Sequence, residues 1–141
     1  MYQALTHLNY LAVLGTAVAG FLIGWLWYSP VLFGKAWRTE MGITDEKMKE
    51  CVKEGMAKYF FQGVVYTLLS TLGLSVLVRA RGTTDYIKGA ELGIFVGLVI
   101  VGTRILNAGV WEQRTIKLSL IKVGYEVVMF AVQGAILAVW R

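Results

Sequence analysis

The residues able to do chemistry are few, and most fall in the second half of the chain. Arg104, Asn107, Glu112, Lys122 and Glu126 are ionisable or amide side chains set among long apolar runs. An isolated charge within a bilayer costs several kcal/mol, about 2.5–3.5 on insertion scales, so such groups are expected to pair or to line a polar cavity. Lys122 and Glu126 stand four apart, on one face of a helix. Across a helical hairpin Arg104 comes within reach of Glu126, and Glu112 at the turn is a second acceptor for Arg104, Arg114 or Lys117. The chemistry this predicts is recognition of a small polar or anionic solute. Other chemistries lack their residues. A single histidine, His7, excludes a histidine-based metal centre or a Ser-His-Asp triad, and a single cysteine, Cys51, excludes an internal disulfide and a multi-cysteine zinc site. No Glu-x-x-His or His-x-Glu pattern occurs, and Ser29 has no evident base. The chain is therefore expected not to be an enzyme and to have no catalytic residue, cofactor or metal.

The elements that must position these groups are membrane spans. Hydrophobic residues make up 57% of the 141 residues and charged residues only 16%. A soluble chain of this size usually carries about 25% charged residues. Leu8 to Gly34 contains no charge, and neither does Tyr59 to Val78. About 20 apolar residues suffice to cross the hydrocarbon. Two further apolar stretches, Ile87–Val110 and Ile116–Trp140, carry internal charges. The sequence predicts an all-α membrane protein and a single integral membrane domain over 1–141. Its architecture is an antiparallel four-helix bundle with spans at about 8–28, 58–79, 87–110 and 116–140. No basic residue precedes the first apolar run, so this run reads as a retained span rather than a signal peptide.

The long connection, 29–57, carries the one short polar helix between spans one and two. Ser29-Pro30 breaks the first span. Val31 to Trp37 is an apolar piece expected to lie along the membrane surface. Thr44 is a plausible N-cap, with Asp45 and Glu46 in the first turn, where the helix dipole favours acids. The charges that follow, Glu46 to Glu54, read as a solvated face. Gly20 and Gly24 in span one, and Gly89, Gly93 and Gly97 in span three, are small-xxx-small rows that let helix backbones approach closely.

On a wheel of about 100° per residue, Arg104 and Asn107 share a quadrant with the span-three glycines. Ser119, Lys122, Glu126, Met129 and Gln133 share a stripe on span four, Gln62 and Tyr66 one on span two, and Gly20, Gly24 and Trp27 one on span one. These stripes predict a polar pocket built from Arg104, Asn107, Glu112, Lys122, Tyr125, Glu126, Gln62, Tyr66, Trp27, Tyr28 and Ser29, beneath the 29–57 loop. The bland alternative is a buried ion-pair network that fixes helix register.

Asn9-Tyr10-Leu11-Ala12-Val13 opens the first span, and Gly24-Trp25-Leu26-Trp27-Tyr28-Ser29-Pro30 closes it. Leu32-Phe33-Gly34-Lys35-Ala36-Trp37 and Met41-Gly42-Ile43-Thr44 follow, with Asn107, Glu112, Arg114, Gly124 and Tyr125 further on. With these elements the chain resembles the domain of unknown function 1761 family over nearly its whole length. The resemblance implies a four-span bacterial membrane protein with no known activity, and supplies no catalytic residue. It does not include Arg104, Lys122 or Glu126 among the family's motif positions.

Two function classes follow. One is a protein that binds or transports a small polar or anionic solute. The other is a structural or regulatory membrane subunit, without transport or catalysis, acting through its glycine rows and polar helix. Expected partners are the lipid bilayer, such a solute, and a second copy or another membrane protein. Nucleic acid is not expected, because the +5 net charge is spread over loops and suits an anionic membrane surface. The Ser29–Lys58 loop and the 3–4 turn carry eight Lys and Arg, namely Lys35, Arg38, Lys47, Lys49, Lys53, Lys58, Arg114 and Lys117. The other side carries four, Arg79, Arg81, Lys88 and Arg141. The positive-inside rule then places the loop in the cytoplasm and the termini outside a bacterial inner membrane.

Overall fold

The computed structural model describes residues 8–53 and 55–140. His7, Glu54 and Arg141 lie outside the described residues. The described chain is helical throughout its regular structure, with no strand. The elements are α1 (Tyr10–Trp27), α2 (Gly34–Met41), α3 (Asp45–Lys53), α4 (Ala57–Ala80), α5 (Tyr86–Phe95), a π-helical segment (Val96–Gly102), α6 (Thr103–Trp111) and α7 (Ile116–Val139). From α5 through α6 the helix is continuous, and four helices are long and apolar enough to cross a membrane: Tyr10–Trp27, Ala57–Ala80, Tyr86–Trp111 and Ile116–Val139.

Local chemistry sets the boundaries. Asn9 caps α1, its Oδ1 accepting from the Ala12 N–H at 3.1 Å. At the other end the chain reverses through Ser29-Pro30. The Phe33 N–H donates to the Trp27 carbonyl at 3.0 Å, and the Gly34 N–H to the Ser29 carbonyl at 2.9 Å. A Cβ on Gly34 would collide with the Tyr28 and Ser29 carbonyls, so only glycine closes this turn. Asp85 caps α5, accepting from Ile87 and Lys88 N–H groups at 2.8 and 3.1 Å. Thr115 caps α7, accepting from Leu118 N–H at 3.2 Å.

The connection between spans holds two short helices rather than one. The expected polar helix is α3, with Thr44 Oγ1 accepting from the Lys47 N–H at 3.3 Å and no residue buried. The last residues of the apolar piece 31–37 open α2, which continues through Arg38, Thr39 and Glu40 to Met41. It ends where Gly42 adopts a left-handed φ of 64°. There the Ile43 N–H donates to the Arg38 carbonyl and the Gly42 N–H to Thr39, the paired bonds of a Schellman cap.

Helix α7 is the most buried of the four long helices. Its buried face carries Leu118, Ile121, Val123, Met129, Phe130, Leu137 and Ala138, and the core cluster adds Val13, Leu74, Val78 and Val96. The third long helix lies on α7 through glycine. Gly89 meets Gly134, Gly93 meets Phe130, Gly97 meets Glu126 and Val127, Gly102 meets Val123, and Gly109 meets Ser119. The partner number falls as the glycine number rises. The rows expected at Gly89, Gly93 and Gly97 therefore sit at backbone contact. Gly20 and Gly24 receive the Gln133 amide and the Tyr125 hydroxyl of α7.

The facing glycines step by four, four, five and then seven. The five-residue step from Gly97 to Gly102 coincides with the π segment, whose i→i+5 turn holds one residue more than an α turn. Thr103 serves carbonyls within the widened turn, its hydroxyl donating to Val99 at 2.7 Å and approaching Ile100 at 3.2 Å.

Candidate functional site

The π segment corrects the expected pocket. Each extra residue delays the helix wheel by about 100°, so residues beyond Gly102 do not share the face of Gly89–Gly97 that an unbroken α wheel assigns them. Arg104 and Asn107 are exposed on the bundle's outer surface. Arg104 has no ion pair among the described residues, and the expected pairing with Glu126 or Glu112 is not made. Glu112 pairs instead with Arg114, two residues away. Gln62 and Tyr66 also face outward, Tyr66 being 66% exposed. The remaining expected residues divide between two places near the loop-proximal end of α7.

The first is a polar cleft of about 110 Å³ between α6 and α7. It is lined by Ile105, Ala108, Gly109, Glu112, Arg114, Ser119 and Lys122. Gly109 creates the room, because a Cβ there would strike Ser119 Oγ. Ser119 is 4% exposed, and its hydroxyl has no hydrogen-bond partner among the described residues. Lys122 is half-buried and makes no ion pair there. Arg114 keeps its guanidinium at the rim, with Nη1 3.1 Å from the sulfur of Met41 on α2. The charged lining is thus two cations and one acid, a net of +1. Sequence reasoning placed Glu112 and Lys122 in the pocket, offered Arg114 as a partner for Glu112, which the structure shows, and set Ser119 on the Lys122 stripe, but counted neither Arg114 nor Ser119 among the pocket residues. The signal was Gly109, seven residues beyond Gly102 on the same seam.

The loop closes over this end of the bundle. Glu40, near the end of α2, accepts from the Thr115 hydroxyl and pairs with Lys117 at 3.4 Å. These contacts, the Thr115 hydroxyl foremost and then Lys117, hold the Glu40 carboxyl below its ordinary range, against an opposing desolvation effect. Thr115 thus caps α7 and tethers α2 with the same hydroxyl.

The second place is aromatic. Trp27 Nε1 donates to the Ile121 carbonyl at 3.1 Å, and its ring covers Gly124, where a Cβ would lie 2.9 Å from it. The Tyr28 and Tyr125 rings lie 5.4 Å apart, and Trp27 packs on Phe33 at 4.5 Å. Tyr125 donates to Met129 Sδ at 3.0 Å. Ser29 turns its hydroxyl back to the Leu26 carbonyl at 2.7 Å, where it serves the reversal. Glu126 is half-buried with no ion pair among the described residues.

The model of the family described as "Protein of unknown function (DUF1761)" matches residues 11–138. The chain belongs to the DUF1761 family. Within this DUF1761 chain the motif residues cluster at one end of the bundle, where Trp27, Tyr28, Gly34, Gly124 and Tyr125 make the turn and aromatic contacts described above. No curated protein and no solved structure matches the chain.

Proposed function

We propose that this chain is an integral membrane protein that binds a small anionic solute in the cleft between α6 and α7. In this reading the four long helices cross the bilayer in alternating directions. The connection bearing α2 and α3 lies on the same side as the cleft, and the eight-to-four Lys and Arg bias puts that side in the cytoplasm. The observation that carries the reading is that Ser119, whose hydroxyl makes no hydrogen bond among the described residues, and Lys122, which makes no ion pair there, line one cleft beside Arg114. An anion in the cleft would accept from the Ser119 hydroxyl and the Lys122 ammonium at once, and charge-assisted bonds of this kind are the stronger ones. Arg114 adds a third donor at the rim. The cleft holds a few water-sized groups, which suits a carboxylate or phosphate rather than a large organic solute.

Binding rather than passage is the function the geometry favours. Below the cleft, Gly102, Gly97, Gly93 and Gly89 bring the third long helix and α7 into contact. A melting-temperature screen of the detergent-purified protein against formate, acetate, phosphate and sulfate tests the proposal. Expected is a concentration-dependent rise with at least one anion, absent in Lys122→Gln and reduced in Ser119→Ala. No rise with any of the four, or equal rises in wild type and Lys122→Gln, would refute it and return the chain to the structural-subunit reading.

A further inference from the structure

On the other side of α7 lies a second concavity, of about 360 Å³, between α1, α4 and α7. Its construction differs from the anion cleft. The walls are two aromatic pairs. Phe21 of α1 meets Phe60 of α4 edge-on, with centroids 4.8 Å apart, and Tyr28 meets Tyr125 at 5.4 Å. Space between them exists because Gly24 and Gly63 carry no side chain. A Cβ on Gly24 would lie 3.1 Å from the Tyr125 hydroxyl, and one on Gly63 would lie 3.8 Å from the Phe21 ring. The lining is almost wholly apolar carbon and ring surface.

One charge stands beside this box. Glu126 follows Tyr125 on α7 and lies two turns before Gln133, on the same helix stripe. Gln133 reaches α4, donating to Thr71 Oγ1 at 2.9 Å. The shared stripe puts Glu126 about two turns nearer the loop than Gln133, next in sequence to Tyr125 of the box wall, although Glu126 is not itself part of the lining. Among the described residues Glu126 has no ion pair, and Arg104, the expected partner, faces outward. Aromatic faces carry negative electrostatic potential and attract weakly hydrated cations. A half-buried carboxylate in an apolar setting calls for a cation as well.

We propose that this aromatic box binds a hydrophobic organic cation, of the quaternary ammonium or phosphonium class, with Glu126 as its counter-charge. Charge complementarity commits the site to a cation, and the ring walls commit it to a soft, bulky one over a hydrated metal ion. The proposal does not depend on the anion cleft, which faces α6 and shares none of these residues.

The test is equilibrium binding of tetraphenylphosphonium to the intact protein in detergent, followed by fluorescence of Trp25, which also lines the box. Triphenylphosphine oxide serves as the neutral probe of similar bulk. Saturable phosphonium binding is expected, with the neutral probe about tenfold weaker or more, and with a loss of about tenfold or more in Glu126→Gln. Phe60→Leu, an exposed position, should weaken the cation more than the neutral probe, and serves if Tyr125→Leu fails to fold. The absence of saturable binding, or equal affinity for the two probes, would overturn the proposal. Unchanged phosphonium affinity in Glu126→Gln would overturn it as well.

Discussion

Adding one methyl group at two glycines should change stability with opposite signs. At Gly93 an added Cβ would meet the Phe130 backbone, with the carbonyl carbon 2.5 Å and the Ala131 Cα 2.9 Å away. Ordinary contact begins near 3.4 Å. The Phe130 carbonyl oxygen is nearer still, so helix α5 must lift from α7 by more than about 1 Å, and a gap of about 0.5–1 Å already forfeits about a quarter to a half of each dispersion well along the seam. The strain cost of such overpacking is about 1–3 kcal/mol. Against it stands the helix-propensity gain of Gly→Ala, about 1 kcal/mol. Gly93→Ala should lose up to about 2 kcal/mol net. At Gly73, on α4, nothing lies within 4 Å of the added Cβ, so Gly73→Ala keeps the propensity gain and should stabilise by up to about 1 kcal/mol. Reversible unfolding in mixed micelles measures both. If the two variants shift stability in the same direction by similar amounts, the seam is not at backbone contact and the packing account fails.

Three further outcomes follow from other contacts. Gln133 is fully buried and donates to Thr71, but its Oε1 has no partner; Gln133→Met gives up a hydrogen bond worth about 0.6 kcal/mol in a membrane and removes an orphan acceptor costing about 1–3 kcal/mol, so micelle unfolding should find it neutral to stabilised. A loss above about 2 kcal/mol would count against that assignment. The Glu40 carboxyl is held below its ordinary range, so its contribution to docking α2 is present above that range and is lost as pH falls through its lowered value. Hydrogen-exchange protection in 34–53, taken relative to the intrinsic rate at each pH, should fall at acid pH in wild type, and Glu40→Gln should remove that dependence; a pH response of protection equal in both would show that Glu40 is not the tether. Cys51 is exposed on α3, and in the proposed orientation α3 is cytoplasmic, so a membrane-impermeant maleimide should label it only after cells are permeabilised. Labelling of intact cells would invert the orientation.

The sequence made the helices legible because charge-free runs and caps are local signals. Thr44 and the Ser29-Pro30 break sit at or next to the helix boundaries observed. The site was less legible for one physical reason. An α wheel assumes a constant advance per residue, and the π segment breaks that advance between Val96 and Gly102. Gly89, Gly93 and Gly97 lie before the break and were placed on the seam. Arg104 and Asn107 lie after it and face outward. The glycines themselves held the correction, since Gly102 and Gly109 continue the seam at steps of five and seven. Tyr66 and Gln62 failed differently. A polar stripe on α4 marks an interior face only if a neighbour covers it, and the loop-proximal end of α4 is exposed on nearly every side. The second helix of the loop was hidden because an apolar stretch, 31–37, overlaps its first turn, while its stop signal, Gly42, lies beyond that stretch.

The anion cleft is tested most directly by locating an anion in it. Crystals of the purified protein soaked in bromide and measured at the bromine absorption edge report where anions sit. The account predicts an anomalous peak in the cleft, within hydrogen-bond distance of both Ser119 Oγ and Lys122 Nζ, that disappears in Lys122→Gln crystals. A cleft without a peak, with bromide bound only elsewhere on the protein, would contradict it.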